Sequence, residues 1–273
     1  MTEQASLNPE YTMGYSPEFL QLLDSRNAQT HAAHLMPHLT PGMRLLDFGC
    51  GPGTITVGLA RVIEPGAIHG IDMEASQIEL ARAAAASGGH DNASFHFGNV
   101  YDLPFDDGSF DAAHCHAVLM HVPDTQRALQ EVKRVLKPGG VIASREMIAS
   151  ASFSEPMGDT TDQAWATFIK LLAANQGHPE MGKQLKAHFL QAGFADVRAT
   201  GSFDYFSSAE DIAFLHAFIC DWFFMPQVVA AATQYGLATH EQFERWRAEM
   251  DEWKEMPGAV GGLAFGEAIA VKP

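Results

Sequence analysis

The chain has 273 residues, of which 47% are hydrophobic and 18% are charged, and its formal net charge is −16. This length suffices for one large domain with an elaborated cap, and we expect a single domain over residues 1–273. The negative charge excludes a nucleic acid as a favourable partner, because binding to phosphates depends on clustered Lys and Arg.

The three cysteines, Cys50, Cys115 and Cys220, show no spacing typical of disulfide frameworks or metal sites. A reduced, cytoplasmic protein without a bound metal fits this pattern best. The first residues contain no basic region followed by an apolar segment, so we expect no signal peptide. The most apolar run, residues 212–233, is interrupted by a histidine, an aspartate and a proline, which indicates a buried helix and no stable membrane insertion.

The first predicted element follows a segment with two tyrosines, residues 11–15. Ser16-Pro17-Glu18 supplies an N-cap residue, a proline at the first helical position and an acid, which together predict a helix start. A second helix is predicted from about residue 26 to residue 37. His31 and His34 are expected to be solvated on this helix; their i, i+3 spacing suits a metal ion, but no third ligand is evident.

A short apolar strand ending at Phe48 runs into the loop Gly49-Cys50-Gly51-Pro52-Gly53, and a helical pattern follows over residues 55–62. Glycine allows a positive φ or the close approach of a ligand. The next predicted strand, residues 67–72, ends in Asp72, about 20 residues after the glycines. At this spacing a carboxylate can accept both ribose hydroxyls of a bound nucleoside.

The third and fourth strands are predicted at residues 93–97 and 110–116, and the fourth ends in His116. Open α/β sheets bind ligands beyond the carboxyl ends of their strands. His116 is therefore the first candidate for a general base, because the unperturbed pKa of histidine is near neutrality. His114 points to the same face of the strand, and we expect it to be buried under a helix.

The fifth strand is predicted at residues 141–147, after an amphipathic helix over residues 124–136. It ends in Arg145-Glu146, and both charges are predicted at the same rim as His116. Glu146 is the second candidate base and Arg145 a further catalytic candidate. The alternative is that the two charges form an ion pair with each other.

Two helical insertions are predicted, over residues 148–186 and 208–256, with strands near 195–205 and 262–271. Their aromatic residues are interpreted either as the core of a cap or as the wall of a substrate pocket. A homodimer contact through the second insertion is also left open. The pocket candidates are Tyr11, Trp165, Phe168, Phe218 and Trp222.

The loop Asp47-Phe48-Gly49-Cys50-Gly51-Pro52-Gly53-Thr54, the strand end Gly70-Ile71-Asp72 and the turn Leu136-Lys137-Pro138-Gly139-Gly140 resemble those of class I S-adenosylmethionine-dependent methyltransferases. More narrowly, the chain resembles the branch of the ubiquinone and menaquinone biosynthesis C-methyltransferases. The resemblance covers nearly the whole chain. It implies an α/β fold with a doubly wound, mostly parallel, seven-stranded Rossmann-like sheet, helices on both faces and a helical cap.

The resemblance also implies S-adenosyl-L-methionine as cofactor, with a core at about 42–147 and an N-terminal lid at about 11–38. Arg26 would pair with the methionyl carboxylate, and Met73 would lie against the adenine. Asn99 stands where the family usually has Asp, so a neutral amide would meet the adenine amino group. The cofactor-binding residues implied are Tyr15, Arg26, Asp47, Gly49, Gly51, Thr54, Asp72, Met73, Gln77, Asn99, Val100, His116 and His121.

The predicted reaction is methyl transfer by in-line displacement to a small, partly apolar acceptor, with carbon, oxygen, nitrogen and sulfur all open as the methylated atom. Two alternatives are a nicotinamide-dependent oxidoreductase on a similar sheet and a protein that binds S-adenosylmethionine without turnover. The glycine loop disfavours the oxidoreductase, because its pattern departs from Gly-x-Gly-x-x-Gly.

Overall fold

The structure is a computed structural model that describes residues 23–273. The predicted helix start at Ser16 and the candidates Tyr11 and Tyr15 lie outside the described residues. The described chain divides into two compact units. The sheet unit contains residues 23–148, 180–203 and 264–273, and the helical unit contains residues 149–179 and 204–263. The single-domain organisation stays a prediction.

The sheet has an α/β, Rossmann-like topology in which the strands run in the order β3-β2-β1-β4-β5-β8, and β7 also pairs with β8. The pairs from β3 to β5 are parallel, and β8 is antiparallel to β5. The strands are β1 (Arg44–Phe48), β2 (Ala67–Asp72), β3 (Ala93–Phe97), β4 (Phe110–His116), β5 (Leu136–Met147), β6 (Phe153–Glu155), β7 (Ala195–Phe206) and β8 (Val260–Val271). The parallel core confirms the predicted fold class and brings the carboxyl ends of β1, β2, β3 and β4 to one edge.

The helices of the sheet unit flank this sheet and bury one apolar side each. The helix between β4 and β5 shows why: Asp124 caps it by accepting the Arg127 N–H, and a buried stripe follows at every third or fourth residue. The helices are α1 (Ala28–His31), α2 (Thr54–Ile63), α3 (Ala75–Gly88), α4 (Thr125–Val135) and α6 (Met181–Gln191), with α5 belonging to the helical unit.

The helical unit contains α5 (Asp159–Ala174), α7 (Ala209–Phe223), α8 (Pro226–Gln234) and α9 (His240–Trp253). Capping boxes start α7, where Ser208 pairs with Asp211, and α9, where Thr239 pairs with Gln242. Its core is aromatic. The Trp253 Nε1–H donates to the Glu155 carbonyl over 2.8 Å, which satisfies the indole in the interior.

Two predictions about the elements are wrong. The second N-terminal helix, predicted over about residues 26–37, is only four residues long: the Asn27 side chain caps its start by accepting the Thr30 N–H, and a turn follows His31. The insertion predicted as helical from residue 148 contains a strand, β6, that pairs with the first residues of β8. The short strand β6 therefore adds an eighth strand to the seven that were predicted.

Within the described residues, no single helix is long and apolar enough to cross a membrane. The pair α7 and α8 meets the length and composition only when taken together, and it bends by 56° between the two helices.

Gly182, at the start of α6, and Gly266, in β8, meet backbone to backbone. A Cβ at Gly266 would fall on the Gly182 carbonyl, and a Cβ at Gly182 would fall on the Glu146 carbonyl. Both contacts are with backbone, which cannot rotate away as a side chain can. The position of α6 on the sheet therefore depends on two residues without side chains.

We predict that Gly266→Ala destabilises the protein by about 3 kcal/mol, the upper range for overpacking a close contact. Gly258→Ala is the matched control, because its Cβ would meet no atom of the described residues within 4 Å and its φ is not positive. Urea denaturation of both variants measures the difference. Equal stability of the two variants would contradict the backbone crossing.

Candidate functional site

The glycine loop after β1 is held against the end of β2. The N–H groups of Gly49 and Cys50 both donate to the Ile71 carbonyl, at 2.7 and 3.1 Å. Gly49, Gly51 and Gly53 all have positive φ, and a Cβ at Gly49 would overlap the Val118 side chain. The loop thus needs glycine for both backbone conformation and space.

Asp72 joins the loop to the start of α3. Its Oδ2 accepts the Gly51 N–H over 2.9 Å and its Oδ1 accepts the Glu74 N–H over 3.0 Å. Burial raises the pKa of the Asp72 carboxyl, and the Gly51 and Glu74 N–H groups act in the opposite direction. Each carboxylate oxygen keeps a second lone pair, so the residue can still accept hydroxyl donors beside the loop.

The surroundings of Gly51 fit a bound nucleoside cofactor. Among the described residues, a Cβ added there would meet only the Gln77 Oε1, at 4.0 Å, so these residues leave the Gly51 backbone open. That Gln77 oxygen is buried and has no hydrogen-bond partner among the described residues. An orphaned buried acceptor beside an open glycine backbone indicates a missing donor, such as a ligand group or an ordered water. Gln77 was predicted from the family resemblance alone.

Two apolar side chains are exposed at the ends of β2 and β3. Met73 is 46% exposed and Phe97 is 65% exposed. Phe97 is the register partner of Asp72, and Met73 follows Asp72 directly in the chain. Asn99 follows, and its Oδ1 already accepts the Tyr101 N–H over 3.0 Å, which closes a local turn containing Val100. A flat ring could pack on the exposed side chains, and Asn99 has one acceptor lone pair left for it.

Asp47 and Thr54 form internal contacts. The Asp47 carboxylate is buried, with the Thr56 hydroxyl 2.5 Å from Oδ2 and the His114 Nδ1 2.8 Å from Oδ1. Asp47 and His114 are register partners on neighbouring parallel strands, which explains why they meet. The Thr54 hydroxyl donates to the Leu23 carbonyl. These residues stabilise the loop's supports, and His114 is buried as predicted.

Four histidines form a cluster in the sheet unit, which we call the histidine cluster: His31, His34, His114 and His116. The rings of His31 and His116 have centroids 5.1 Å apart, and those of His34 and His114 are 6.3 Å apart. Both ring nitrogens of His34 and of His116 are buried without a partner among the described residues. The prediction that His34 is solvated is wrong, because both of its ring nitrogens are buried, whereas His31 is half-buried. The apolar stripe beside them in the sequence was the available signal.

His116 is electrically neutral in this setting. Burial lowers its pKa well below 6.5, and the guanidinium groups of Arg26 and Arg145 lower it further. Burial and Arg26 likewise lower the pKa of His121 to about 4. The unperturbed pKa of histidine, on which His116 was selected as a candidate base, does not apply in this environment. Arg26 acts electrostatically on both histidines, which places its positive charge near the end of β4.

Arg145 and Glu146 lie on opposite faces of β5, because successive side chains alternate along a strand. The Arg145 Nε lies 3.1 Å from the Ser202 hydroxyl and 3.4 Å from the Glu267 carboxylate, and its guanidinium stacks 3.7 Å from the centroid of Phe265. Arg145 and His116 are register partners and share a face. The alternative of an Arg145–Glu146 ion pair is wrong.

Glu146 is fully buried and saturated with donors. Its Oε1 accepts the N–H groups of Val118 and Leu119, and its Oε2 accepts the N–H of Met120, at 2.9 to 3.1 Å. The Ser144 hydroxyl adds a fourth bond at 3.1 Å. Burial raises the pKa of the Glu146 carboxyl, and the three backbone donors oppose that rise. This is the environment of a structural anchor, in contrast to the accessible base expected from the sequence.

The four described pocket candidates form one aromatic cluster in the helical unit. Trp222 contacts Phe168 edge to face at 4.8 Å and lies parallel to Phe218 at 6.5 Å, while Trp165 contacts Phe168 at 5.7 Å. The Trp222 Nε1 is buried without a partner among residues 23–273. The cluster thus combines apolar rings with one available donor.

The family model of a methyltransferase domain matches residues 39–193, more than half of the chain. A relative from Aspergillus luteorubrus named a probable methyltransferase, ltbC, is 34% identical over 193 residues, covering 67% of this chain and 66% of the relative. A demethylmenaquinone methyltransferase of Staphylococcus aureus is 33% identical over 176 residues, covering 58% of this chain and 70% of the relative. The chain spans 66%, 50% and 44% of the length of the first three curated relatives that it matches.

Among solved structures, the YcgJ protein of Bacillus subtilis is similar, with a TM-score of 0.59 and 17% identity over 90% of this chain and 99% of that one. At this identity the likeness concerns the fold. It agrees with the α/β fold described above.

We predict that Glu146→Gln costs about 3 kcal/mol of stability, because the new amide N–H₂ would face backbone donors in a dry interior. Chemical denaturation compares this variant with Glu79→Gln, an exposed control on α3. A fully stable Glu146→Gln protein would contradict the anchoring role. If that stable variant also lost turnover, Glu146 would return as a candidate base.

Proposed function

Since the chain belongs to the class I S-adenosylmethionine-dependent methyltransferases, we propose that it transfers a methyl group from this cofactor to a small, partly apolar acceptor. The observation that carries the proposal is the cofactor side of the site. Asp72 beside an open Gly51 backbone, with the orphaned Gln77 oxygen facing it, fits the ribose end of the cofactor. The family assignment does not favour an oxidoreductase.

The aromatic cluster of the helical unit supports an acceptor with an apolar portion. Phe168, Phe218 and Trp222 are buried against one another and Trp165 is half-buried at their edge, so the half-buried Trp165 and the unpartnered Trp222 N–H are the groups that an acceptor would meet first. Demethylmenaquinone, which appears in the name of the Staphylococcus aureus relative, is therefore one compound to include in an acceptor panel.

The positive charges near His116 suggest how the acceptor reacts. Arg26 and Arg145 disfavour protonation of His116, and the same charges favour an anion such as a phenolate, thiolate or stabilised carbanion. Arg26 is also suited to the methionyl carboxylate, since a guanidinium binds a carboxylate through two parallel hydrogen bonds. When bound, the cofactor supplies an already activated methyl group on a sulfonium.

His116 is proposed to orient the acceptor by accepting a hydrogen bond from its ionisable group, while the proton released as the anion forms passes to solvent, because Arg26 and Arg145 disfavour the imidazolium. Its two ring nitrogens are buried and have no partner among the described residues, so the neutral imidazole offers a free lone pair. His116 and its neighbours also align the reacting groups. The protein holds the nucleophile, the methyl carbon and the sulfur in line and excludes water.

Binding of S-adenosylhomocysteine tests the cofactor half directly. We predict micromolar binding by isothermal titration calorimetry and a weakening of at least about tenfold in Asp72→Ala, because hydrogen bonds to a charged group are lost. Glu79→Ala, with an exposed carboxylate on α3, is the control and keeps the affinity.

Absence of binding to the intact protein would overturn the proposed function. Unchanged binding in Asp72→Ala would preserve the cofactor but remove the ribose contact. Thermal melting of each variant distinguishes a lost contact from a lost fold.

His116→Gln is predicted to lower turnover by about 100-fold, the cost of misplacing a reacting group by about 1 Å, with little change in S-adenosylhomocysteine affinity. Transfer of a labelled methyl group to a panel of phenols, thiols and quinols measures turnover. Because its pKa lies well below 6.5, His116 stays neutral above that pH, and its acid limb appears only at lower pH.

His240→Gln, an exposed histidine at the start of α9, is the matched control and keeps full turnover. A His116→Gln protein with wild-type turnover would remove His116 from the reaction. An equal loss of cofactor binding and turnover would instead assign it to the cofactor.

A further inference from the structure

Three potential metal ligands meet in the helical unit, away from the residues used above. His216 and Cys220 are one turn apart on α7, and Asp251 lies on α9. The Asp251 Oδ1 is 2.7 Å from the His216 Nε2, and the Cys220 Sγ is 3.3 Å from the same nitrogen. All three ligand atoms lie within 4.8 Å of one another.

Convergence on a single ring nitrogen does not fit a proton relay. In a relay the carboxylate and the thiol would bind the two different nitrogens of the imidazole, as in nucleophilic triads. Here the Nε2 can serve only one of its neighbours at a time: with a hydrogen it donates to Asp251, and without one it accepts from the Cys220 thiol. A cation placed among the three atoms would satisfy all of them together.

The spacing on α7 is suited to a metal. Side chains at i and i+4 lie on one helical face, which is the spacing of the two zinc-binding histidines in His-Glu-x-x-His helices. Tetrahedral zinc with bonds of about 2.0 to 2.3 Å separates nitrogen from oxygen by about 3.3 Å and nitrogen from sulfur by about 3.6 Å. The nitrogen–oxygen distance would have to widen by about 0.6 Å, which the exposed Asp251 side chain can supply, and the nitrogen–sulfur distance by about 0.3 Å.

The three ligands form a cluster that is buried on the side of Cys220 and His216 and exposed to solvent on the side of Asp251. Cys220 is 2% exposed and His216 is 8% exposed, whereas the Asp251 side chain is 49% exposed. Ions can thus enter from the Asp251 side, where a water can complete the coordination. Burial raises the pKa of the Cys220 thiol to about 12, with Arg247 acting in the opposite direction and Asp251 adding to the rise. Without a cation the thiol therefore stays protonated and unreactive.

We propose that His216, Cys220 and Asp251 bind a divalent transition metal ion, with zinc favoured by the mixed thiolate, imidazole and carboxylate donors. Binding replaces the thiol proton, which leaves to solvent, and involves no redox change. The metal links α7 to α9 within the helical unit. Cysteine spacing in the sequence gave no sign of this site, because its ligands are a histidine four residues from Cys220 and an aspartate on another helix.

Cobalt(II) titration of the full-length protein, purified without a metal-affinity tag, tests the proposal. We expect one equivalent to bind with a thiolate-to-cobalt charge-transfer band in the near ultraviolet and intense visible bands of tetrahedral cobalt. Zinc added afterwards should abolish these bands. Absence of the charge-transfer band would overturn the proposal.

Variants locate the ion. Cys220→Ser should remove the charge-transfer band, and Asp251→Asn, an exposed change that leaves the fold intact, should weaken cobalt binding at least about tenfold. Cys50→Ser and His240→Gln should leave both unchanged. A band that persists in Cys220→Ser, or wild-type affinity in Asp251→Asn, would show that the ion binds elsewhere and overturn the proposal.

Discussion

The buried carboxylate of Glu146 is the interaction on which the candidate site depends. Its oxygens collect the N–H groups of residues 118–120, just after β4, and hold that segment against β5. Val118, in this segment, occupies the space beside Gly49 that a side chain there would need. The Glu146 carboxylate therefore fixes the position of Val118, the side chain against which the glycine loop packs. The free energy that Glu146 loses by leaving water is offset by hydrogen bonds to N–H groups that would otherwise have no partner in the interior.

Much of the sheet unit follows from local sequence. The apolar runs predicted β1 to β4 closely, and the glycine loop with Asp72 predicted the edge at which a cofactor can bind. These features are encoded by periodicity and spacing within one or two elements. The geometry at Asp72 adds a detail that spacing cannot give, which is that the carboxylate already holds the loop through the Gly51 N–H.

Features that depend on which strands become neighbours were not predictable in this way. Arg145 and Glu146 are adjacent in sequence, but successive side chains of a strand point to opposite faces. Arg145 therefore lies on the face of His116, and Glu146 contacts the backbone of residues 118–120. The histidine cluster unites residues from α1, its C-terminal turn and β4, and the helix carrying His31 is shorter than its sequence pattern indicated. The lowered pKa of His116 likewise comes from burial and from Arg26 and Arg145, which are far from it in the sequence.

The crossing of Gly182 and Gly266 constrains how this chain can evolve. Each glycine leaves space for the other's backbone, so neither position can accept a side chain by a single substitution without displacing α6 from β8. A compensating change would have to move a helix, which no point mutation does. Substitutions at Gly182 and Gly266 are therefore coupled, although the two residues lie far apart in the sequence. Exposed positions on the surrounding helices carry no such constraint.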